Sequence, residues 1–368
     1  MLSNKKKGDR VDSSSASGKN NPSITNYAKR SEFIFLYDSR MANPNGDPDE
    51  DFPRLDPYSG RNLVTEYRLK RTIRDYILKH YKSDDKNQIF IREELKSNNK
   101  RKTIEELAEH YITSGGGDNQ TKVKKKKSLT DSKAVKADEI INDHIDVRLF
   151  GLMFLVQNIP FKRLGPVQFA IGISLNKVQP ILVRFIRVVP TKEDAGSGTF
   201  GEKTILKYSL ILFHGFLNQI PAEETRLTEE DVRKMMTAMW HRTNELSTTS
   251  KYGQMSRFLL RIIYKNDNDY IGDLDRNLRL DNFDDQNIQH ISEAQINAIN
   301  LFKVLETNKN LIQVIQYACH PDLEFLIETK DKNEQGNFKA EIKNVNEYFQ
   351  LWSIEHKIDC INIMENQE

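Results

Sequence analysis

Three cations stand together at Lys70, Arg71 and Arg74, at positions i, i+1 and i+4 of a segment whose apolar residues recur at helical spacing. Tyr67 lies three residues before Lys70 on the same side, and Arg61 and Arg68 are close by. Like charges on one helix face repel unless something anionic lies across them. Two partners meet that need. One is a nucleic-acid backbone, whose neutralised phosphates release counterions. The other is the chain's own Glu66 and Asp75 on an ordinary solvated face. Periodicity leaves both open.

A second candidate precedes this segment. In Asn43-Pro44-Asn45-Gly46-Asp47-Pro48, two prolines fix the backbone and Gly46 permits a positive φ. Such a turn can present backbone N–H groups to phosphate or 2′-hydroxyls, or can be a plain structural turn. Asp47, Asp49, Glu50 and Asp51 do not make an EF-hand loop, because the glutamate at its twelfth position is missing. A third candidate is SKYGQMSR at 250–257, where Lys251, Gln254 and Arg257 can meet phosphates at a strand entrance or simply belong to a loop. Catalytic constellations are weak. His214 and His241 read as structural or surface residues, adjacent Cys319 and His320 do not converge as nucleophile and base, and neither a Gly-x-Ser-x-Gly nor a His-Glu-x-x-His motif occurs.

The elements that must position these groups follow from periodicity. The apolar run FIFLY at 33–37 predicts a strand buried on both faces. A shaped loop follows over 38–60, then a helix over 62–81 with Leu69, Ile73, Tyr76 and Ile77 toward the core. Residues 83–145 are charged and broken. They predict a short helix over 103–112, capped by Thr103 and Glu106, and a flexible insertion carrying the basic run 124–127. Its GGG lacks the strand and the Gly-Lys-Ser/Thr of a phosphate-binding loop. Strands are predicted at 167–175, 205–213 and 258–264, with a protruding hairpin between the first two and a helix over 228–246 capped by Thr228. A helix over 293–305 and an apolar helix or strand over 348–363 close the chain. Strand, helix, strand, strand, helix, strand is the order of a split β-α-β, ferredoxin-like α+β fold. Such sheets commonly carry RNA, although fold alone does not establish function.

Composition sets limits. The 368 residues suffice for one large domain or two small ones. With 38% hydrophobic and 29% charged residues the profile is that of a soluble protein with solvated segments, and residues 1–30 read as a disordered tail. A net charge of +2 means that any nucleic-acid contact comes from local basic faces. Two cysteines, Cys319 and Cys360, make neither a disulfide framework nor a cysteine-rich zinc site, so a reducing setting is expected. No transmembrane helix is expected, since no run of about 18 apolar residues occurs, and no secretory signal, since no apolar region follows the basic start MLSNKKKGDR.

The strings FLYDSRMANPNGDPDEDFPRLDPYSGRNLVTEYRLKRTIRDYI, IDVRLFG, GPVQFAIGIS, YSLILFHGFLN and SKYGQMSRFLLRIIY, in that order, resemble the backbone subunit of type I CRISPR surveillance complexes (Cascade). This is the CRISPR-associated protein seven family of the RAMP superfamily, and the variant is similar to subtype I-B. The resemblance spans roughly residues 33–280 and omits the tail, the Lys-rich insertion and most of the last stretch. It implies an RRM-like palm over 31–290, with finger insertions at 83–145 and a β-hairpin thumb over 178–206 whose tip lies at 196–201. Residues 291–368 would be an extension packed on the palm. It implies a non-catalytic protein without cofactor in the prokaryotic cytoplasm, with no membrane partner. Its expected partners are the CRISPR guide RNA, further copies of itself along that guide, other Cascade subunits, and target DNA through the guide.

The resemblance places Asn43, Asn45, Gly46 and Asp47 in the guide path. It puts Arg61, Thr65 and Tyr67 at a guide-contacting helix start, with Arg68, Lys70, Arg71 and Arg74 along its basic side. Arg148, Phe150 and Gly151 would lie close by, and Lys251, Gln254 and Arg257 would match a palm motif. A subunit that accepts any guide should grip phosphate and sugar and leave base edges unread. The chain also lacks the aromatic RNP signature that stacks bases. Two other readings are an RNA-cleaving backbone subunit of the type III kind, using Asp38 or Asp47, and a generic RNA-binding module.

Overall fold

FIFLY forms the middle of β1 (Ser31–Ala42), and every residue from 31 to 39 is buried. The structure is a computed structural model that describes residues 27–49, 52–113, 134–186, 200–332 and 338–364. The tail up to residue 26, the basic run 124–127 and residues 196–199 of the expected hairpin tip lie outside these. After β1 come β2 (Arg61–Val64), α1 (Glu66–His80), α2 (Ile104–Ala108), α3 (Ala137–Asp143) and α4 (Ile145–Phe150). Six strands follow: β3 (Gly151–Val156), β4 (Ile159–Leu164), β5 (Val167–Phe169), β6 (Gly172–Lys177), β7 (Pro180–Ile186) and β8 (Phe200–Leu217). Then come α5 (Gln219–Thr225), α6 (Glu229–Asn244), β9 (Gln254–Tyr264), α7 (Ile299–Thr307), β10 (Ile312–Cys319), β11 (Glu324–Lys332), β12 (Phe338–Asn344), α8 (Val345–His356) and β13 (Asp359–Asn362). The protein is a mixed α+β structure with several sheets. Among the described residues no helix is long and apolar enough to cross a membrane.

The largest sheet runs β13–β10–β9–β1–β8–β6–β2, with β5 and β7 also pairing with β8. β1 is antiparallel to both neighbours. Ser31 lies opposite Leu217 and Ile263 at one end, and Ser39 opposite Ser209 and Gln254 at the other. Alternation then splits the strand. Phe33, Phe35 and Tyr37 meet Leu69, Ile73 and Ile77 of α1 and Val232, Met235 and Met239 of α6. Ile34 and Leu36 point the other way and join Leu301, Phe302, Phe325 and Phe349 of the C-terminal elements. Each such buried side chain contributes about 1.5–3 kcal/mol of transfer free energy. Both faces of the central sheet are therefore covered. A smaller cluster, including Phe90, Ile140, Val147, Phe154 and Phe161, organises the segment between α1 and β5.

Three expected elements end elsewhere. The helix expected over 62–81 starts at Glu66. Residues 61–64 pair with β6 instead, because Asn62 is fully buried with its N–H on Ser174 Oγ at 2.9 Å, and Thr65 then caps the helix. The strand expected over 167–175 is split into β5 and β6 around Ala170 and Ile171. At Gly172 a Cβ would stand 2.4 Å from the Phe213 ring. The helix expected over 293–305 begins at Ile299, because Ile296 and Asn297 form a short strand against Phe325 and Leu326. The expected caps are present: Thr103 with Glu106, and Thr228 with Asp231, each form reciprocal capping boxes.

Candidate nucleic-acid interface

Two loops close over the Ser39–Gln254 end of the β1–β9 ladder. Arg40 N–H donates to Gly253 O at 2.9 Å, and Asn43 N–H donates to Ser250 O at 2.8 Å. Gly253 has φ +96°, and a Cβ there would lie 2.4 Å from Arg40 O, so only glycine allows this approach. The Lys251 ammonium donates to Asn43 O at 2.5 Å and to Pro44 O at 3.0 Å. Asn45 then reaches the helix: its Oδ1 accepts from Thr65 N at 2.8 Å and Thr65 Oγ1 at 2.9 Å, and Thr65 Oγ1 caps Arg68 N. The rest of the loop folds back on itself. Asp47 N–H donates to Phe52 O, Arg54 N–H donates to Asn45 O, and the Asp47 carboxylate pairs with Arg54 at 3.0 Å.

This scaffold holds two desolvated cations close together, Arg68 and Lys251. Arg68 is half-buried, and its guanidinium makes no hydrogen bond or ion pair among the described residues. Burial pushes the Lys251 ammonium down to about 8, and the nearby Arg68 charge pushes the same way. Gln254 lines the same small cavity as Arg68, and its buried Nε2 has no partner among the described residues; neither has the Oγ of its cross-strand partner Ser39. Arg68, Gln254 and Tyr37 line a cavity of about 10 Å³, close to the space of a single water. Tyr67, 73% exposed, and exposed Arg71 continue the surface along α1. Arg61, on β2 just before α1, sets its Nη1 on Ser174 O of β6 at 3.0 Å.

Other expected contacts turn inward. The anion across the basic helix face is supplied by the chain. Arg74 Nε pairs at 2.9 Å with buried Asp146, which also accepts the N–H groups of Phe90 and Ile91. Arg71 pairs with Asp75 at 2.7 Å. Lys70 is buried, with its ammonium 5.4 Å from the centre of the Phe150 ring, and Arg74 approaches the same ring at 5.3 Å. Arg148 is only 7% exposed. It forks onto Asp231 at 2.9 and 3.0 Å and spends its remaining donors on the carbonyls of Lys86, Ile141 and Asn142. Gly151 ends α4 at φ +72°, where a Cβ would meet Arg163 O at 2.4 Å. Arg257 pairs with Asp38 at 2.9 Å and touches His320 Nδ1 at 3.2 Å. Asp38 is 3% exposed and also accepts the Tyr208 hydroxyl, so its carboxylate is closed to an incoming RNA strand.

The structure thus ties Asn43, Asn45, Gly46, Asp47, Thr65 and Lys251 together by hydrogen bonds, with the side chains of Arg68 and Gln254 lining one small cavity at α1. Lys70 and Arg74 of α1 pack on Phe150 at the end of α4, while Arg148 is held separately on Asp231 of α6. Two residues at the loop surface escaped the sequence reading: Arg40 and Tyr252, the latter 75% exposed. Strand alternation carries the signal for Arg40, which is the first exposed position of β1 after a wholly buried run.

The CRISPR-associated protein Cas7 family model matches residues 29–299, so the chain belongs to that family. The chain is 29% identical over 317 residues to a CRISPR-associated protein Cas7 from Haloferax volcanii, covering 80% of this chain and 88% of that protein. Among solved structures, one chain of a pre-nicking CRISPR RNA-guided surveillance complex aligns with TM-score 0.48 and 13% identity, covering 88% of this chain and 99% of that one. A chain of another CRISPR RNA-guided surveillance complex aligns with TM-score 0.42 and 13% identity, over 78% and 88%.

Proposed function

We propose that the protein is a non-catalytic subunit that binds a CRISPR guide RNA along its sugar–phosphate backbone. In this reading it oligomerises on that guide within a type I, I-B-like surveillance complex, and meets target DNA through the paired guide. The observation that carries the reading is Arg68: a half-buried guanidinium beside a stiff loop held by Lys251, with no carboxylate of the described residues bonded to it. A phosphate is the natural counterpart of such a guanidinium. Covered sheet faces favour backbone recognition, since bases have no open platform of sheet aromatics on which to stack.

The order β9–β1–β8–β6, with α1 and α6 together on one face, supports an RRM-like palm over 31–290. The pairing of β7 with β8, from Pro180 opposite Leu206 to Ile186 opposite Phe200, supports a thumb over 178–206. Residues 83–145 are the fingers and 291–368 the extension. Tyr67, Arg68, the loop 43–47, Arg61 and Arg71 are the wall that faces the guide. Lys70, Arg74, Arg148, Phe150, Gly151 and Arg257 act behind it by holding its shape. The cytoplasmic setting belongs to the same reading.

Co-expression with a repeat array and the partner subunits tests this. The purified assembly should carry RNA of uniform length and leave added complementary RNA intact. Cellular RNA of mixed length would contradict guide binding. Cleavage at regular spacing, abolished in Asp47→Ala, would instead favour the nuclease reading.

A further inference from the structure

Lys251 matches a guide-contacting motif in sequence, yet its ammonium is turned onto protein. Its two contacts, Asn43 O and Pro44 O, are neighbouring carbonyls on buried residues. Buried carbonyls need donors, and here a side chain reaches in to supply them. The same short segment is tied on its other side by Asn45, whose side chain bonds the backbone and hydroxyl of Thr65. Thr65 in turn caps the helix that carries Tyr67 and Arg68. An unbroken path of contacts therefore runs from Lys251 through Asn43, Pro44, Asn45 and Thr65 to Arg68. Lys251 is itself fixed by the turn 248–253, in which its N–H and that of Tyr252 both donate to Thr248 O at 3.0 Å.

We propose that Lys251 is a positioning residue: it clamps the carbonyls of Asn43 and Pro44 and so sets the loop and the start of α1 in the shape that meets RNA. This inference rests on the guide-binding reading and deepens it, because it separates the residue that shapes the wall from those that touch the strand. A bond from a charged donor is stronger than a neutral one, so removing two of them should loosen the loop measurably. Arginine can replace the clamp, since its fork also offers two donors to adjacent oxygens.

The test uses the full chain and the variants Lys251→Met and Lys251→Arg. Hydrogen exchange is read without RNA at the amides of Asn43, Asp47, Arg54 and Thr65, and affinity is read with a single-stranded RNA of fixed length. In Lys251→Met those amides should exchange about tenfold faster or more while the amides of β1 keep their protection, and affinity should fall by a similar factor. Lys251→Arg should restore both. If Lys251→Met weakens RNA binding but leaves the four amides unchanged, Lys251 is a direct contact and the clamp is wrong. If exchange accelerates while affinity holds, the loop does not shape the RNA wall and the proposal fails. Should Lys251→Met lose the β1 protection as well, the comparison rests on Lys251→Arg: wild-type exchange and affinity support the clamp, and weakened affinity with wild-type exchange overturns it. Absence of RNA binding by the wild type would remove the guide-binding reading, while the exchange data would still read the clamp by themselves.

Discussion

Arg148→Ala should lower the stability of the folded chain by about 3–5 kcal/mol, the range for removing one partner of a buried ion pair. Sequence likeness marks Arg148 as a guide contact, but its guanidinium is bidentate on Asp231 and donates to three carbonyls. Asp231 is also the third residue of the α6 capping box with Thr228, so its carboxylate serves two elements. Taking Arg148 away strands that charge in a buried site and frees the carbonyls that end α3. Arg148→Lys should recover only part of the loss, since an ammonium cannot make the fork. Denaturant unfolding checks both variants. The fraction that remains folded should bind RNA with an unchanged salt dependence. Normal stability with weakened RNA binding would mean that Arg148 leaves Asp231 to meet the guide.

Arg68→Ala should have the opposite signature. Its guanidinium makes no bond to the described protein, so truncation breaks no internal network. Removing it relieves a desolvated charge and its repulsion of Lys251, Arg71 and Arg242, which offsets the lost attraction to Asp75. Thermal stability should hold or rise slightly. RNA affinity should fall by about 1.5–3 kcal/mol, the worth of a hydrogen bond to a charged group, whatever the guide sequence. The salt slope should shrink by about 0.7 for each phosphate of a single strand that the variant no longer neutralises. An affinity that falls for some guides only would mean that Arg68 reads bases. Binding titrations on guides of different sequence, beside a melting curve, distinguish the two.

Much of this is legible in the sequence where the cause is local. The doubly buried β1, the core face of α1 and the Thr103 and Thr228 caps follow from alternation, helical period and four-residue motifs. The coupling of the Asn-Pro-Asn-Gly loop to the 250–257 turn is legible only as shared likeness, because no spacing rule brings Lys251 Nζ to residues 208 and 207 positions away. The basic face of α1 misleads for the same reason. Helical spacing sees Glu66 and Asp75, but the acid that takes Arg74 is Asp146, 72 positions on, and the acid that takes Arg148 is 83 positions on. Long-range ion pairs turn expected contacts into supports. Among Arg61, Arg68, Lys70, Arg71 and Arg74, they leave Arg68 as the cation whose side chain bonds to no described residue.

The central claim is that the wall formed by the loop and α1 grips RNA backbone without reading sequence. The most direct measurement is the affinity of the full chain for two RNAs of equal length and unrelated sequence across a range of salt concentrations. The account predicts affinities within about threefold of one another and one common negative slope of log affinity against log salt. A preference of about a hundredfold for one RNA, or affinity that does not respond to salt, would contradict it.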